Sequence, residues 1–243
     1  MSLPRFHSPF ALAAGRRVEL SSSAAHHAAN VLRMRVGDAL ILFDGRGGEY
    51  SAYLESIDKK RVVVSVDSHV DIERESPLVV TLVQAVSSRD RMDTTLQKAV
   101  ELGVARIVPV MSQRSVVRLS GERAEQRVQH WQQVVAAACE QCGRNQVPHV
   151  EALIPLVTYL ERPSPGVGRW MLSPYAEHVL RSLEKPQTAV ELLVGPEGGL
   201  TAEEERAAAE AGFTPVRIGP RILRTETAAP ALLAAMQALW GDF

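Results

Sequence analysis

The chain has 243 residues, of which 46% are hydrophobic and 23% charged, with a formal net charge of −1. That balance allows one large or two modest packed domains and excludes a globally basic nucleic-acid coat, while leaving room for a local basic patch. No apolar run approaches the ~18 residues of a membrane-spanning helix, His7, Ser8 and Pro9 interrupt any signal-peptide core, and two cysteines are too few for a disulfide scaffold, so a cytoplasmic protein is expected.

Residues 1–72 read as β-rich with one helix. Ser22 or Ser23 caps a helix predicted to run to about Arg33, and Gly37-Asp38 makes the next turn. Ala39–Phe43, Glu49–Leu54 and Arg61–Val66 are predicted strands, the first two joined by the hairpin signal Asp44-Gly45-Arg46-Gly47-Gly48. A small barrel is the expected architecture, followed by a linker at 71–77.

The pattern then changes. Leu78–Val86 is a long apolar strand, Met92–Leu102 a helix closed by Gly103, and Arg106–Val110 another strand. Val128, Trp131, Val134, Val135 and Ala138 recur near a 3.6 period, which predicts a long amphipathic helix over Glu122–Cys142. Strands are predicted at Arg169–Leu172, Val190–Val194 and Pro215–Ile218; their alternation with helices implies a mostly parallel sheet. Thr201 and Glu204 form a capping box for a helix that ends at Gly212. A terminal helix starts near Thr227, with Pro230 in its first turn. Its Leu232, Leu233, Met236, Leu239 and Trp240 are either core or a subunit contact.

Two loops carry the chemistry. Gly195-Pro-Glu-Gly-Gly199 follows a strand and leads into a helix. It lacks the Lys-Ser/Thr ending of a P-loop and is not Gly-x-Gly-x-x-Gly, so triphosphate hydrolysis and a dinucleotide fold are poorly supported. Its glycines either let a ligand lie against the backbone or make a tight turn. Arg217, Arg221 and Arg224 come with no acid between Arg217 and Thr225; they either attract an anion or pair with Glu226 and the acids at 203–205. Arg106, Arg114 and Arg118, and Arg5, Arg33, Arg35 and Arg46, suit phosphate contacts, though each alone is ordinary surface. Cys139-Glu-Gln-Cys142 has redox or zinc spacing, but it lies late in a helix with no second cysteine pair, so packing is the expected role and no metal site is expected. His26 and His27 lie on a predicted helix, where a surface or satisfied histidine is expected over a general base.

With these residues assembled, the chain resembles the bacterial 16S ribosomal RNA uracil-N3 methyltransferases of the SPOUT superfamily. The matching segments run in order along it: His26-His27 with Val31-Leu32-Arg33, Gly37-Asp38, Phe43-Asp44-Gly45, Gln97-Lys98 with Glu101–Val104, Glu140–Arg144, Leu172 with Pro174, Gly195–Leu200 and Gly219–Thr227. The resemblance implies an α/β fold: a PUA-like RNA-binding β-barrel over 1–72 and, over 73–243, a SPOUT methyltransferase domain whose mostly parallel sheet carries a trefoil knot, a rare exception to unthreaded chains. It implies S-adenosylmethionine as cofactor, 16S ribosomal RNA of the small subunit as partner, and a homodimer. Carried over to this chain, the cofactor residues are Leu172, Ser173, Pro174, Val194, Gly195, Glu197, Gly199, Ile218, Gly219, Arg221, Ile222, Leu223 and Thr225. Ser173 departs from the pattern, since relatives often have His before the Pro. Arg224 is placed to stabilise charge developing on the base; Glu197 or Glu226 takes the proton or holds an Arg. Arg5, Arg33, Arg35 and Arg46 are the expected RNA contacts. Two other readings stay open: a ribosome-binding factor without catalysis, or a knotted methyltransferase acting on another RNA nucleotide.

Overall fold

The first strands, β1 (Arg5–His7) and β2 (Arg17–Glu19), are three residues each, too short to carry a periodicity, and the sequence reading passes over them. In the computed structural model, which describes residues 3–58 and 61–243, they flank the strands that the apolar alternation does predict. Leu40 and Leu42, Ala52 and Leu54, and Val62, Val64 and Val66 point to one side of β3 (Ala39–Phe43), β4 (Glu49–Asp58) and β5 (Arg61–Val70) and form one buried cluster. The sheet order is β1-β3-β4-β5-β2. Both long strands outrun their predicted ends at Leu54 and Val66. Residues such as Glu55, Ser56, Asp67 and Ser68 are polar, so the apolar alternation stops while the backbone ladder continues.

The helix predicted after Ser22 is shorter than expected. Ser21, not Ser22 or Ser23, caps α1 (Ser22–His26) by accepting the Ala24 N–H. The chain then widens into a π-turn over His27–Val31 instead of continuing as α-helix to Arg33. Arg33 itself has φ 53°, a left-handed conformation that ends the helical path. Ala24, Ala25 and Ala28 face the apolar cluster.

This first unit extends to Glu75 and takes in a return of the chain at Cys139–Val147. Polar bonds bind that return. Arg5 donates to Asn145 Oδ1 at 2.5 Å and to the Gly143 carbonyl at 3.2 Å, Asn145 Nδ2 donates to the Ile72 carbonyl at 2.6 Å, and Arg144 pairs with Glu75. Cys139, near the end of the long helix α3 (Gly121–Cys142), is buried, and burial pushes its thiol up to about 12, the opposite of what a redox cysteine needs.

The second unit covers Ser76–Ala138 and Pro148–Phe243. Its strands are β6 (Val79–Ala85), β7 (Arg106–Met111), β8 (His149–Val150), β9 (Ile154–Pro155), β10 (Gly168–Leu172), β11 (His178–Val179), β12 (Ala189–Val194) and β13 (Thr214–Arg217). Seven lie in the order β11-β13-β10-β12-β6-β7-β8, with β9 beside β7, and every pairing among the described residues is parallel. Such strands are covered on both faces and read as near-continuous apolar runs. Val83, Ala85, Val108, Val110, Met171 and Leu193 pack with Leu156 and Tyr159 of α4 (Leu156–Leu160) and Ala208 of α5 (Ala202–Glu210). Neighbouring residues of β6 point the other way, and there Gln84 reaches Thr225 of α6 (Thr225–Trp240).

α6 begins at Thr225, two residues earlier than expected, so Pro230 sits in its second turn and removes one intrahelical hydrogen bond. Leu232, Leu233 and Met236 are buried within the single chain, where α6 packs against α2 (Arg89–Glu101). They are core, and the alternative that these three form a subunit contact is withdrawn.

Candidate functional site

In a parallel sheet all strand carboxyl ends lie along one edge, and loops leaving adjacent strands are thrown together. β13, β10 and β12 are adjacent. The loops after them line a cleft of about 270 Å³ within the second unit. The loop after β10 supplies Leu172, Ser173 and Pro174. The loop after β12 supplies Val194, Gly195, Glu197 and Gly199. The loop after β13 supplies Ile218, Gly219, Arg221, Ile222, Leu223 and Thr225, with Arg224 and Glu226 beside them. The structure therefore gathers every residue expected at the cofactor, although the segments are separated by up to half a hundred positions.

Local bonds hold these loops in place. Thr225 Oγ1 donates to the Gly195 carbonyl at 2.9 Å, tying the third loop to the second. Gly199 N–H closes a turn on the Pro196 carbonyl at 2.9 Å, and Ser173 N–H bonds the Val216 carbonyl at 3.0 Å. The capping box forms as expected: Thr201 and Glu204 satisfy each other's backbone N–H groups at 3.2 and 2.9 Å. Glu204 Oε1 also accepts the Gln113 N–H at 2.7 Å.

Arg114 has a role that the sequence reading placed elsewhere. Its Nη1 donates to the Gly198 and Leu200 carbonyls at 3.0 and 3.2 Å, clamping the glycine loop from outside. Arg118 likewise holds the Ser112 carbonyl, and Arg106 pairs with Glu151. These three arginines are engaged within the second unit.

The charged wall of the cleft contains a residue the sequence reading missed. Arg91, in the first turn of α2, lies 3.2 Å from Glu197 Oε1 and 3.6 Å from Glu226 Oε2. Its only sequence signal is its position after the carboxyl end of β6, in the middle of the sheet. Burial alone would raise the Glu197 carboxyl, but the Ser88 N–H, donating at 2.8 Å, and the Arg91 guanidinium hold it below the usual carboxylate range. Glu197 Oε2 and Glu226 Oε2 are buried without a hydrogen-bond partner. Arg217, Arg221 and Arg224 make no ion pair among the described residues: Glu226 faces Arg91, and Glu203 pairs with Arg206. The bland alternative of internal pairing therefore does not hold for them.

The expected RNA contacts divide. Arg33, Arg35 and Arg46 are exposed in the first unit, with Val31, Leu32 and Val36 exposed around the first two. Arg5 is set apart from them. Its side chain is only 10% exposed, pairs with Glu49 at 2.5 Å and lies over the Phe43 ring. A guanidinium so enclosed has no face left for a phosphate. His26 and His27 are exposed on the first unit and do not line the cleft.

Residues 74–237 match the model of the RNA methyltransferase domain, and residues 20–67 match the model of the RNA methyltransferase PUA domain. The Ribosomal RNA small subunit methyltransferase E of Bacillus subtilis is 33% identical over 232 residues, 89% of this chain and 88% of its own length. That of Buchnera aphidicola from Schizaphis graminum is 31% identical over 240 residues, covering 99% and 98%. A crystal structure of the Neisseria gonorrhoeae protein of that name, bound to S-adenosyl methionine, superposes with a TM-score of 0.95 at 46% identity over 100% of both chains.

Proposed function

Because the chain belongs to the ribosomal RNA small subunit methyltransferase E family of RNA methyltransferases, we propose that it transfers the methyl group of S-adenosylmethionine to N3 of a specific uridine in 16S ribosomal RNA. The observation that carries this reading is the cleft: every residue that the resemblance assigns to the cofactor lines it. Its walls also suit that ligand. A Cβ at Gly219 would meet no atom within 4 Å, so backbone is open to a ligand's edge. Glu197, with Oε2 left without a hydrogen bond, puts a carboxylate at the cleft wall, which suits a cationic methyl donor. S-adenosylmethionine supplies an electrophilic methyl on a sulfonium. The chain's residues must do the rest: hold the donor in line, take the N3 proton of the uracil and stabilise the charge left on the base.

In this reading residues 1–72 are a PUA-like barrel for RNA and residues 73–243 a SPOUT domain with a trefoil knot. The knot is supported by the path of the chain after β13. It leaves the far side of β10, yet α6 packs against α2 and bonds Gln84 of β6, so the last segment crosses back past the Gly195 loop. The protein works in the cytoplasm as a homodimer. With Leu232, Leu233 and Met236 in the core, a dimer contact by α6 uses its outer side, where Leu239 is exposed, and Phe243 past its end. Nucleoside mass spectrometry of ribosomal RNA from a deletion strain tests the function. Loss of N3-methyluridine from 16S RNA is expected; an unchanged nucleoside profile refutes it.

Two variants test its parts. Arg114→Ala removes the clamp on the Gly198 and Leu200 carbonyls. Bonds from a charged donor contribute about 1.5–3 kcal/mol, less where water reaches them, so affinity for S-adenosylmethionine is expected to fall about tenfold. Calorimetric titration reads this directly, and unchanged affinity removes Arg114 from the loop's support. Neutralising Arg33 and Arg35 together is expected to weaken ribosomal RNA binding and flatten its salt dependence by about two counterions, with cofactor affinity unchanged. A double Ala variant with the wild-type salt slope leaves those side chains as solvated surface only.

A further inference from the structure

We propose that Glu226 takes the N3 proton, and that Arg91 is the positioning residue that gives Glu226 and Glu197 different roles. The inference rests on the reading of the cleft as a uracil-N3 methyltransferase site. Three charged groups from three elements meet on one wall: Arg91 from α2, Glu197 from the loop after β12, and Glu226 from the first turn of α6.

The two carboxylates differ in how they are held. Glu197 Oε1 accepts the Ser88 N–H at 2.8 Å and lies 3.2 Å from Arg91 Nη1. A carboxylate bound to two donors stays ionised and is a poor proton acceptor. It serves instead as the anchor of Arg91. Glu226 takes no hydrogen bond on either side-chain oxygen among the described residues, and its Oε2 is buried. Arg91 Nε stands 3.6 Å from that oxygen, too far for a hydrogen bond but near enough to fix the carboxylate by charge. The N3 proton is therefore assigned to Glu226 and not to Glu197. The other charged groups lining the cleft are Glu205, Arg217, Arg221 and Arg224. The arriving proton turns the Glu226 carboxylate into a neutral acid.

The step balances. The N3–H bond breaks and the proton forms an O–H bond on Glu226. The pair left on N3 bonds the methyl carbon as the carbon–sulfur bond breaks, and its electrons return to sulfur, which becomes a neutral thioether. The base gains a methyl in place of the proton. Without Glu226, hydroxide must remove the proton.

The test is single-turnover transfer from S-adenosylmethionine to ribosomal RNA, followed from neutral to alkaline pH, with calorimetry of the cofactor alone. Glu226→Gln is expected to lose about 10²–10⁴ in rate near neutrality while binding the cofactor normally, and its rate should climb about tenfold per pH unit. Arg91→Ala should share part of that defect, and Arg91→Lys should recover some of it. Glu197→Gln should instead weaken cofactor binding, since it releases both Ser88 and Arg91. A Glu226→Gln enzyme with the wild-type rate and pH profile overturns the proposal. So does a deficit that is equal at every pH and matched by lost cofactor affinity. If the wild-type chain transfers no methyl to N3, the functional reading itself fails; wild-type transfer with an unaffected Glu226→Gln removes only the assignment of the proton.

Discussion

Gly195→Val is expected to weaken S-adenosylmethionine binding roughly 10- to 100-fold, the cost of forcing a side chain into a closed turn. A Cβ at Gly195 would lie 3.2 Å from the Leu200 backbone nitrogen and 3.3 Å from the Gly199 carbonyl carbon. Those are backbone atoms of the same loop, so the contact is relieved only by opening the turn. Opening it also disturbs the Thr225 bond to the Gly195 carbonyl, which joins the second and third loops. Gly199 is needed for another reason. It has φ +69° with nothing near its Cβ position, so the cost there is backbone conformation and not collision. Gly199→Ala should therefore bind more weakly than wild type but better than Gly195→Val. Of the two roles that the sequence leaves open for these glycines, ligand approach or a tight turn, the structure assigns Gly195 to the turn. Calorimetry showing wild-type affinity in Gly195→Val removes this loop from the cofactor site.

Arg224→Ala is expected to lower the methylation rate by about 10²–10³, the range for one lost electrostatic donor. Arg224 is exposed at the cap position of α6 and has no ion pair among the described residues. Its removal breaks no side-chain hydrogen bond or ion pair among the described residues, so the expected defect is chemical. Fold and cofactor affinity should survive, as thermal unfolding and calorimetry can show. Arg224→Lys keeps the charge but loses the planar fork, and partial activity is expected. Full single-turnover activity in Arg224→Ala takes the residue out of the mechanism.

The legible parts of this protein were those written in local chemistry. Glycine and proline loops after apolar strands announce a cleft between loops, and Thr201 with Glu204 announces a helix start; the structure has a cleft between those loops and a helix from Ala202. The long-range parts were not legible. Arg91 lies more than a hundred positions before the carboxylates it touches, and nothing around it differs from an ordinary helix start. The return of Cys139–Val147 to the first unit is carried by Arg5, Asn145, Arg144 and Glu75. Single polar residues of that kind have no period. The same blindness put Arg5 among the RNA contacts, since burial by distant segments cannot be read from spacing. Conversely, Leu232, Leu233 and Met236 gave an apolar stripe that suits a core or an interface equally, and only the packing of α6 against α2 decides it.

The central claim is methyl transfer to a single atom of a ribosomal RNA base. The most direct measurement incubates the purified chain with methyl-labelled S-adenosylmethionine and small-subunit ribosomal RNA from cells lacking this protein, then digests the RNA and identifies the labelled nucleoside. Label in N3-methyluridine, at one position of 16S RNA, is the expected result. Label in any other nucleoside, or tight cofactor binding with no transfer to either free RNA or assembled subunits, contradicts it.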